Sequence, residues 1–317
     1  MRIIFMGTPD FSVGTLEALI EAGHEIALVV TQPDKPKGRG KAMQAPPVKE
    51  CALAHGLLVY QPRRVREPEC VAYLESFAPD MIVVVAFGQI LTREILDMPK
   101  YCCVNVHASL LPKYRGAAPI QWAVIQGEQI SGVTTMRMDE GIDTGDMIDT
   151  AEVLLAEDET GGSLFDKLAQ AGAELCVKTL ASIEAGTAVY TPQDHGAATH
   201  TRMIKKQLGE LDFSKTALEL ERLVRGLNPW PSAYTFWKGR TLKIWKSRVA
   251  QDELPDCGQS GSWETGAVHL AGKDRILVKC KEGWLELLEV QPEGKKRMDA
   301  ASFLRGYPLE DGYCLGA

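Results

Sequence analysis

Asn105, His107 and Ser109 are spaced to form one polar face at the end of a strand. They follow an apolar run that begins at Tyr101, and side chains two residues apart on a strand point the same way. A carboxamide N–H is a fixed donor for an oxyanion, and an imidazole can accept a proton or, when charged, stabilise that oxyanion. The spacing therefore predicts a polar site where this strand ends.

A carboxylate follows on the next strand's loop, which reads Asp-Glu-Gly-Ile-Asp-Thr-Gly-Asp over residues 139–146. Its two glycines predict a tight loop that aims one carboxylate into the site, with Asp143 as the candidate. Asn105, His107 and Asp143 together suit attack by an amine on an acyl carbon, where oxygen gains negative charge and nitrogen loses a proton. The loop fails the EF-hand pattern at its third and twelfth positions, so we predict no metal site.

Covalent catalysis is the alternative chemistry on this strand. Ser109 has no G-x-S-x-G sequence around it. Cys103 shares the face of Asn105 and leaves a thiol enzyme open, although a buried structural thiol is the favoured interpretation. From spacing alone, a purely structural role for His107 also stays open. The eight cysteines include no C-x-x-C pair, which predicts reduced thiols and a cytoplasmic protein rather than a disulfide framework or a zinc site.

The elements that position these residues predict an α/β fold. A strand at 2–7, a helix at 12–21 and a buried strand at 26–31 form a Rossmann-like unit with a parallel sheet. The turn after residue 7 lacks G-x-G-x-x-G, so a dinucleotide enzyme is disfavoured. A further buried strand, 81–86, ends at Phe87, Gly88 and Gln89, where ligands of open parallel sheets bind. Apolar runs of this length are strands and not membrane spans.

Two domains are expected from the change in sequence character after residue 189. We predict a Rossmann-like domain at 1–189, a turn-rich linker at 190–208 and a second domain at 209–317. Short alternating strands in the second domain predict a small β-barrel.

Positive charge is concentrated in two places of this acidic chain, whose net charge is −7. Residues 201–250 hold eleven Lys and Arg against four Asp and Glu. The loop at 34–41 carries Lys37, Arg39 and Lys41 beside two glycines. Both segments suit contact with a polyanion, and a solvated basic face is an equal alternative by composition.

Several widely spaced motifs together resemble the 10-formyltetrahydrofolate-dependent formyltransferases. They are Asn-x-His-x-Ser-Leu-Leu-Pro from residue 105, Arg-Gly-x-x-Pro from residue 115, Gly-x-Asp-Thr-Gly from residue 141 and Asn-Pro-Trp-Pro from residue 228. The resemblance covers nearly the whole chain and is closest to members that formylate initiator methionyl-tRNA. Glycinamide ribonucleotide transformylases share the Asn, His and Asp but lack the basic loop and the C-terminal barrel.

This resemblance implies a role for each group of residues. Asn105, His107 and Asp143 would be catalytic, and 10-formyltetrahydrofolate would be the formyl donor. The folate pocket would be lined by Phe87, Gly88, Gln89, Ser109, Leu110, Leu111 and Pro112. Initiator tRNA would be contacted by Lys37, Arg39, Lys41, Arg202, Lys205 and Lys206, with an OB-like barrel on its flank.

The resemblance further implies that the product is N-formylmethionyl-tRNA for translation initiation, made by a cytoplasmic monomer without metal or membrane. Two alternatives stay open at this stage. A formyltransferase acting on a sugar nucleotide or another small amine would keep the three catalytic residues without needing the basic loop. A non-catalytic RNA- or folate-binding protein would bind without turnover.

Overall fold

The computed structural model describes residues 1–37, 42–251 and 263–316. Arg39 and Lys41 therefore lie outside the described residues. The chain divides into two compact units. The first comprises Met1–Pro119, Ile130–Leu154 and Phe165–Thr201, and the second comprises Ile120–Gln129, Leu155–Leu164 and Arg202–Ala317. The domain boundaries at 189/190 and 208/209 stay predictions.

The strands up to residue 201 are short and mostly apolar. They are β1 Arg2–Gly7, β2 Glu25–Val30, β3 Lys35–Lys37, β4 Ala42–Gln44, β5 Val59–Tyr60, β6 Met81–Val85, β7 Cys103–His107, β8 Arg115–Gly116, β9 Ile130–Arg137, β10 Met147–Leu154 and β11 His200–Thr201. The helices of this stretch are α1 Asp10–Glu21, α2 Pro47–Ala54, α3 Pro68–Glu75, α4 Arg93–Leu96, α5 Pro119–Gln126 and α6 Gly161–Glu184.

Seven of these strands form one sheet in the order β10-β9-β7-β6-β1-β2-β5. The five strands from β5 to β7 are parallel, while β9 and β10 are added antiparallel. Strand β6 has the sequence MIVVV and is buried throughout, as expected for a parallel strand covered on both faces. The Rossmann-like prediction is confirmed, with two antiparallel strands at one side.

The chain direction across the sheet reverses between β1 and β6. From β1 the chain moves out through β2 to β5, then returns to β6 and continues through β7. Open α/β sheets bind ligands beside the carboxyl ends of the strands at such a switch point. The turns after β1 and β6 therefore occupy the favoured position for a ligand.

Two small pairings were not predicted from the sequence. The basic loop begins and ends in a hairpin of β3 and β4. Strand β8 pairs in parallel with β11, which joins the residues after β7 to the segment that we predicted to be a linker. Strands of two or three residues carry no periodicity from which they could be recognised.

The second unit is built on an antiparallel sheet with the order β12-β13-β16-β15-β14 and with β17 beside β16. The elements are α7 Ala217–Gly226, β12 Ala233–Trp237, β13 Arg240–Val249, β14 Val268–Ala271, β15 Arg275–Lys279, β16 Trp284–Pro292, β17 Met298–Asp299 and α8 Ala300–Gly306. Helix α7 begins at a capping box formed by Thr216 and Glu219.

The C-terminal segment joins the two edges of this sheet. On one side, Cys314 bridges to Ala267, and Leu315 donates its N–H to the Gly266 carbonyl. On the other, Gly316 donates its N–H to the carbonyl of Phe236 on β12. The predicted barrel is confirmed, and its closing segment comes from a tail in which the sequence showed no motif.

Two further findings concern the described part of the chain as a whole. Seven cysteines are free thiols there. Among the described helices, none combines the length and the apolar character needed to cross a membrane.

Candidate active site

Asn105 and His107 lie on the same face of β7, at the end of the strand where the site was predicted. Strand β7 lies between β6 and β9 in the sheet. Asn105 is 9% exposed and His107 is 7% exposed, so both polar groups lie at the edge of a buried sheet. Burial strengthens the electrostatic contacts of both side chains, and their small exposed fractions leave a path to solvent.

Asp143 joins these two residues from the loop after β9. Its Oδ1 accepts a hydrogen bond from Asn105 Nδ2 at 3.4 Å, and its Oδ2 lies 3.6 Å from His107 Nδ1. The main-chain N–H of Gly116 donates to the same Oδ2 at 2.8 Å. The structure thus brings the three predicted residues together around one carboxylate.

The loop that carries Asp143 is held in a tight conformation by its own side chains. Asp139 Oδ1 accepts hydrogen bonds from the Gly141 N–H and the Thr144 hydroxyl. A Cβ at Gly145 would lie 1.8 Å from the carbonyl oxygen of Arg137, so only glycine fits there. Asp143 itself has a φ of 54°, a conformation that Asp tolerates better than most residues.

The second ring nitrogen of His107 faces the main chain. Its Nε2 lies 3.0 Å from the carbonyl oxygen of Tyr114, and because a carbonyl can only accept, Nε2 carries the proton. This contact fixes the ring plane and leaves Nδ1 toward Asp143. The separation of 3.6 Å between Nδ1 and the carboxylate exceeds a hydrogen bond, so the pair is close but not locked.

Gly116 brings its N–H to Asp143 in a conformation that requires glycine. Its φ is 99°, and an added Cβ would lie 2.6 Å from the carbonyl oxygen of Thr201. The close approach arises because Thr201 belongs to β11, which pairs with β8. The Thr201 hydroxyl also donates to the Arg115 carbonyl at 3.0 Å. The segment around residue 200 therefore shapes the wall behind Asp143.

Sequence reasoning missed two buried polar residues behind the site, Arg115 and Gln193. They are 3% and 5% exposed. Gln193 Nε2 donates to the carbonyl oxygens of Asp143 at 2.9 Å and Gly145 at 2.7 Å. Its Oε1 accepts from Arg115 Nε and Nη2 at 3.0 and 2.7 Å. The Arg-Gly motif gave a signal for Arg115, whereas Gln193 stood in a turn-rich segment without any.

The predicted folate residues Phe87, Gly88 and Gln89 form the turn after β6 at the switch point. The Phe87 carbonyl accepts hydrogen bonds from the Thr8 hydroxyl and from Gln32 Nε2, each at 3.2 Å. Gly88 has a φ of 81°, which accounts for glycine at this position. The Gln89 side chain is turned away to the Val65 N–H and the Pro62 carbonyl.

The other predicted folate residues, Ser109 to Pro112, form a compact lip after β7. Ser109 is buried, and its hydroxyl donates to the Lys113 carbonyl at 2.7 Å. Thr134 on β9 accepts from the Leu111 N–H and donates to the Ser109 carbonyl. Ser109 thus makes a structural contact: its hydroxyl donates to a main-chain carbonyl, and no hydrogen bond to a basic side chain is found for it among the described residues. A folate role for the lip stays a prediction.

The sequence of the chain matches two known families in order. The family described as formyl transferase matches residues 1–180, and the family described as formyl transferase, C-terminal domain, matches residues 203–308. This chain belongs to the formyl transferase family.

Relatives in this family are similar over the whole chain. A protein of Agathobacter rectalis named methionyl-tRNA formyltransferase is 64% identical over 98% of this chain and 98% of its own length. One of Lachnospira eligens with the same name is 56% identical over 100% of both. The fold resembles the crystal structure of WlaRD, a sugar 3N-formyl transferase, with a TM-score of 0.65 at 18% identity, covering 93% of this chain and 99% of that one.

Cys103, the candidate for thiol chemistry in this formyl transferase, is a buried structural residue. Burial raises the pKa of its thiol well above the ordinary value, and its Sγ donates to the Ile95 carbonyl at 3.5 Å. A thiol that stays protonated is a poor nucleophile. The geometry favours the chemistry of Asn105, His107 and Asp143.

A cavity of about 590 Å³ opens beside the loop that carries Asp143. It is lined by Arg93, Leu96, Asp97, Pro99, Lys100, Tyr101, Cys102, Cys103, Arg137, Met138, Asp139, Glu140, Gly145 and Asp146. The seven predicted folate residues, all of them described, are not among these lining residues. The sequence did not single out this cavity.

The residues predicted to contact tRNA are distributed over several segments. Arg202, Lys205 and Lys206 are exposed. Lys37 ends β3, and the base of this hairpin is held by Asp34, which accepts from Lys49 Nζ at 2.9 Å and from Gln61 Nε2 at 2.7 Å. These hydrogen bonds lower the pKa of Asp34, that from Gln61 most. The tRNA contacts themselves stay predictions.

Proposed function

We propose that this protein transfers the formyl group of 10-formyltetrahydrofolate to the α-amino group of initiator methionyl-tRNA, giving N-formylmethionyl-tRNA for translation initiation. One observation carries the proposal: Asn105, His107 and Asp143 converge in a formyl transferase whose full-length relatives are named methionyl-tRNA formyltransferases.

In the proposed reaction, the amine nitrogen forms a bond to the formyl carbon, and the bond from that carbon to N10 of the folate breaks. An Asn105 N–H and the His107 imidazole stabilise the negative charge that develops on the formyl oxygen. Asp143 faces the His107 ring at Nδ1 and accepts the proton that the amine must lose, directly or through water. N10 of the leaving tetrahydrofolate takes up a proton, which balances the transfer.

Three features fit a folate beside these residues. The turn after β6 lies at the switch point of the sheet, where ligands of this architecture bind. Ile90 and Ile142, which directly follow and precede Gln89 and Asp143, expose 75% and 64% of their surface and offer apolar contacts to a flat ring. The cavity lined by Met138 and Asp139 has room of about 590 Å³ for part of the co-substrate.

The tRNA surface that we propose in the second unit includes Trp245 and the cations around it. The Arg297 guanidinium lies 3.3 Å and Lys243 Nζ 5.4 Å from the centre of the Trp245 ring. Trp245 Nε1 donates to Gln291 Oε1 at 2.9 Å, which fixes the ring under these cations. Exposed Lys295 and Lys296 precede Arg297. Cations held on an aromatic ring position a phosphate backbone without reading its sequence.

We also infer a monomer that acts in the cytoplasm, where translation is initiated. A chain of 34.8 kDa holds the whole set of Asn105, His107 and Asp143, so the proposed chemistry needs no residue from a second copy. Light scattering of the purified protein tests this: a mass of one chain is expected, and a stable dimer would contradict it.

The proposed function is tested by comparing formyl transfer to four different amine acceptors. The purified protein receives 10-formyltetrahydrofolate with initiator methionyl-tRNA, elongator methionyl-tRNA, a dTDP-linked amino sugar or glycinamide ribonucleotide. Formylmethionine should form rapidly on initiator tRNA, and the two small amines should stay unmodified. Formylation of the amino sugar alone would assign the protein to small amines, and binding without turnover of any acceptor would show a non-catalytic protein.

A further inference from the structure

Gln193 contacts the main chain of the Asp143 loop on both sides of Thr144 through its Nε2 atom. We propose that Gln193 is a positioning residue for formyl transfer, which sets the place of the Asp143 carboxylate through the backbone. This inference rests on the proposed function, since it concerns the role of Asp143 in that reaction.

The two hydrogens of the Gln193 amide are both used on the loop. They reach the carbonyl oxygens of Asp143 and Gly145, at 2.9 and 2.7 Å. Asp143 has a φ of 54°, and a non-glycine residue in this region persists only where its surroundings hold it. Gln193 is 5% exposed, so water is poorly placed to replace it. Losing the donor would remove the hydrogen bond to the Asp143 carbonyl and the buried hydrogen bond to the Gly145 carbonyl.

Arg115 fixes the orientation of the Gln193 amide. Its guanidinium donates two hydrogen bonds to Oε1, and a carboxamide that accepts from Arg must direct its N–H groups the other way. Both ends of the Gln193 amide are therefore determined. Such charge-assisted pairs are stronger than neutral hydrogen bonds and define geometry as well as energy.

The contacts close a ring through Asp143. Gly116, the residue after Arg115, donates its main-chain N–H to Asp143 Oδ2 at 2.8 Å. Arg115 holds Gln193, and Gln193 holds the Asp143 carbonyl. The dipeptide Arg115-Gly116 thus contacts the Asp143 carboxylate directly, through Gly116. It contacts the Asp143 main chain indirectly, through Arg115 and Gln193. A shift of about 1 Å in a catalytic group can cost on the order of 10²-fold in rate.

Gln193→Glu removes the hydrogen bonds that this side chain donates and keeps its size. Glutamate has the size of glutamine and still accepts from Arg115, but its carboxylate has no N–H for the two carbonyls. We expect kcat to fall about 10-fold or more, with the KM of either substrate changed by less than about 3-fold, because the lost contact acts on the reacting geometry. Gln193→Met, which is uncharged and cannot donate, should show the same split if Gln193→Glu folds poorly.

A double-mutant cycle with Asp143→Asn distinguishes positioning from a general structural role. If Gln193 acts through Asp143, the double variant should have a kcat within about 2-fold of that of Asp143→Asn alone. Independent losses that multiply in the double variant would overturn the proposal. The exposed Gln170→Glu, which makes the same change of charge on α6, should keep wild-type kcat.

A second readout needs no turnover. The Gly116 amide donates to Asp143 Oδ2, so its NMR signal reports whether the carboxylate is in place. In Gln193→Glu this signal should shift and its hydrogen exchange accelerate by about 10-fold or more, since a displaced carboxylate exposes the N–H. An unchanged Gly116 signal would overturn the proposal. Inactive wild-type protein with a shifted signal would instead refute the proposed function and keep the positioning role.

Discussion

The main-chain N–H of Gly116 lies 2.8 Å from Oδ2 of Asp143, across 27 residues of sequence. This contact joins strand β8 to the loop after β9. It places a fixed donor on the carboxylate that also faces Asn105 and His107. A fixed donor on Oδ2 holds the carboxylate in place, as the proton-accepting role that we propose for Asp143 requires.

Gly116→Ala should disrupt this contact. The added Cβ would lie 2.6 Å from the Thr201 carbonyl oxygen, in a backbone with a φ of 99°. We expect a loss of about 1–3 kcal/mol in the free energy of unfolding and a fall in kcat of about 10-fold or more. Calorimetry and steady-state kinetics measure both.

Gly14→Ala is the matched control for this substitution. Gly14 lies within α1, where an added Cβ would meet no atom within 4 Å. This variant should be more stable by about 0.5–1 kcal/mol and fully active. A Gly116→Ala protein that behaves like Gly14→Ala would show that the close approach to Thr201 is unimportant.

Cys103→Ala tests the thiol alternative. Because the Cys103 thiol is buried and its pKa is raised, we expect kcat within about 2-fold of wild type and only a small loss of stability from the cavity. Iodoacetamide should also label the native protein slowly at this position. A loss of about 10²-fold in kcat with normal folding would return the thiol to the mechanism.

Arg39→Ala and Arg297→Ala should weaken tRNA use while folate binding stays unchanged. Arg39 belongs to the basic loop of the sequence, and Arg297 lies over Trp245. If each contacts a phosphate, each variant should raise the KM for methionyl-tRNA several-fold, and the slope of log affinity against log salt should fall by about 0.7–0.9.

Arg305→Ala, an exposed arginine on α8, is the control for the change in charge. It should leave tRNA binding within about 2-fold of wild type. Weaker folate binding with normal tRNA binding in Arg39→Ala would refute the role of the loop. Equal effects of Arg297→Ala and Arg305→Ala would refute the Trp245 surface.

Acid should destabilise the barrel through Glu286. Burial alone would raise the pKa of this carboxyl, but hydrogen bonds from Arg275 and Arg248 outweigh burial and lower the pKa below its ordinary 4.5. A group with a lowered pKa stabilises the fold fully above its ordinary pKa, and this contribution is lost as the pH falls through the folded value. We therefore expect stability to decline below pH 4.5.

Glu286→Gln should remove much of that dependence. The Glu286 side chain is 3% exposed, so its loss should cost about 1–3 kcal/mol at pH 7 and make the acid limb of the stability curve shallower. The exposed Glu282→Gln in the same barrel should leave the curve unchanged. Parallel curves for wild type and Glu286→Gln would contradict the assignment.

The fold could be predicted where sequence patterns are long. The buried run of β6 and the alternating strands of the barrel have recognisable periods. The closing segment from Tyr313 to Gly316 has none, because it makes two main-chain hydrogen bonds at one edge and one at the other rather than forming a strand. The pairing of β3 with β4 could not be predicted either, because strands of three residues are too short to show a period.

The three candidate catalytic residues could be predicted from the sequence, whereas the residue that holds the Asp143 loop could not. Asn105 and His107 follow from the alternation of β7, and Asp143 from the glycines around it. Gln193 could not be predicted, because its importance comes from carbonyl groups about 50 residues away and main-chain acceptors leave no mark in the sequence. The turn-rich character of its segment pointed to a linker instead.

The rate of a single turnover in Asp143→Asn tests the central claim most directly. Enzyme in excess is mixed with initiator methionyl-tRNA and saturating 10-formyltetrahydrofolate, with Asn105→Ala and His107→Ala measured alongside. We predict a rate at least about 10²-fold below wild type in each variant, with both substrates bound as tightly as before. Rates within about 3-fold of wild type would contradict the assignment of catalysis to these three residues.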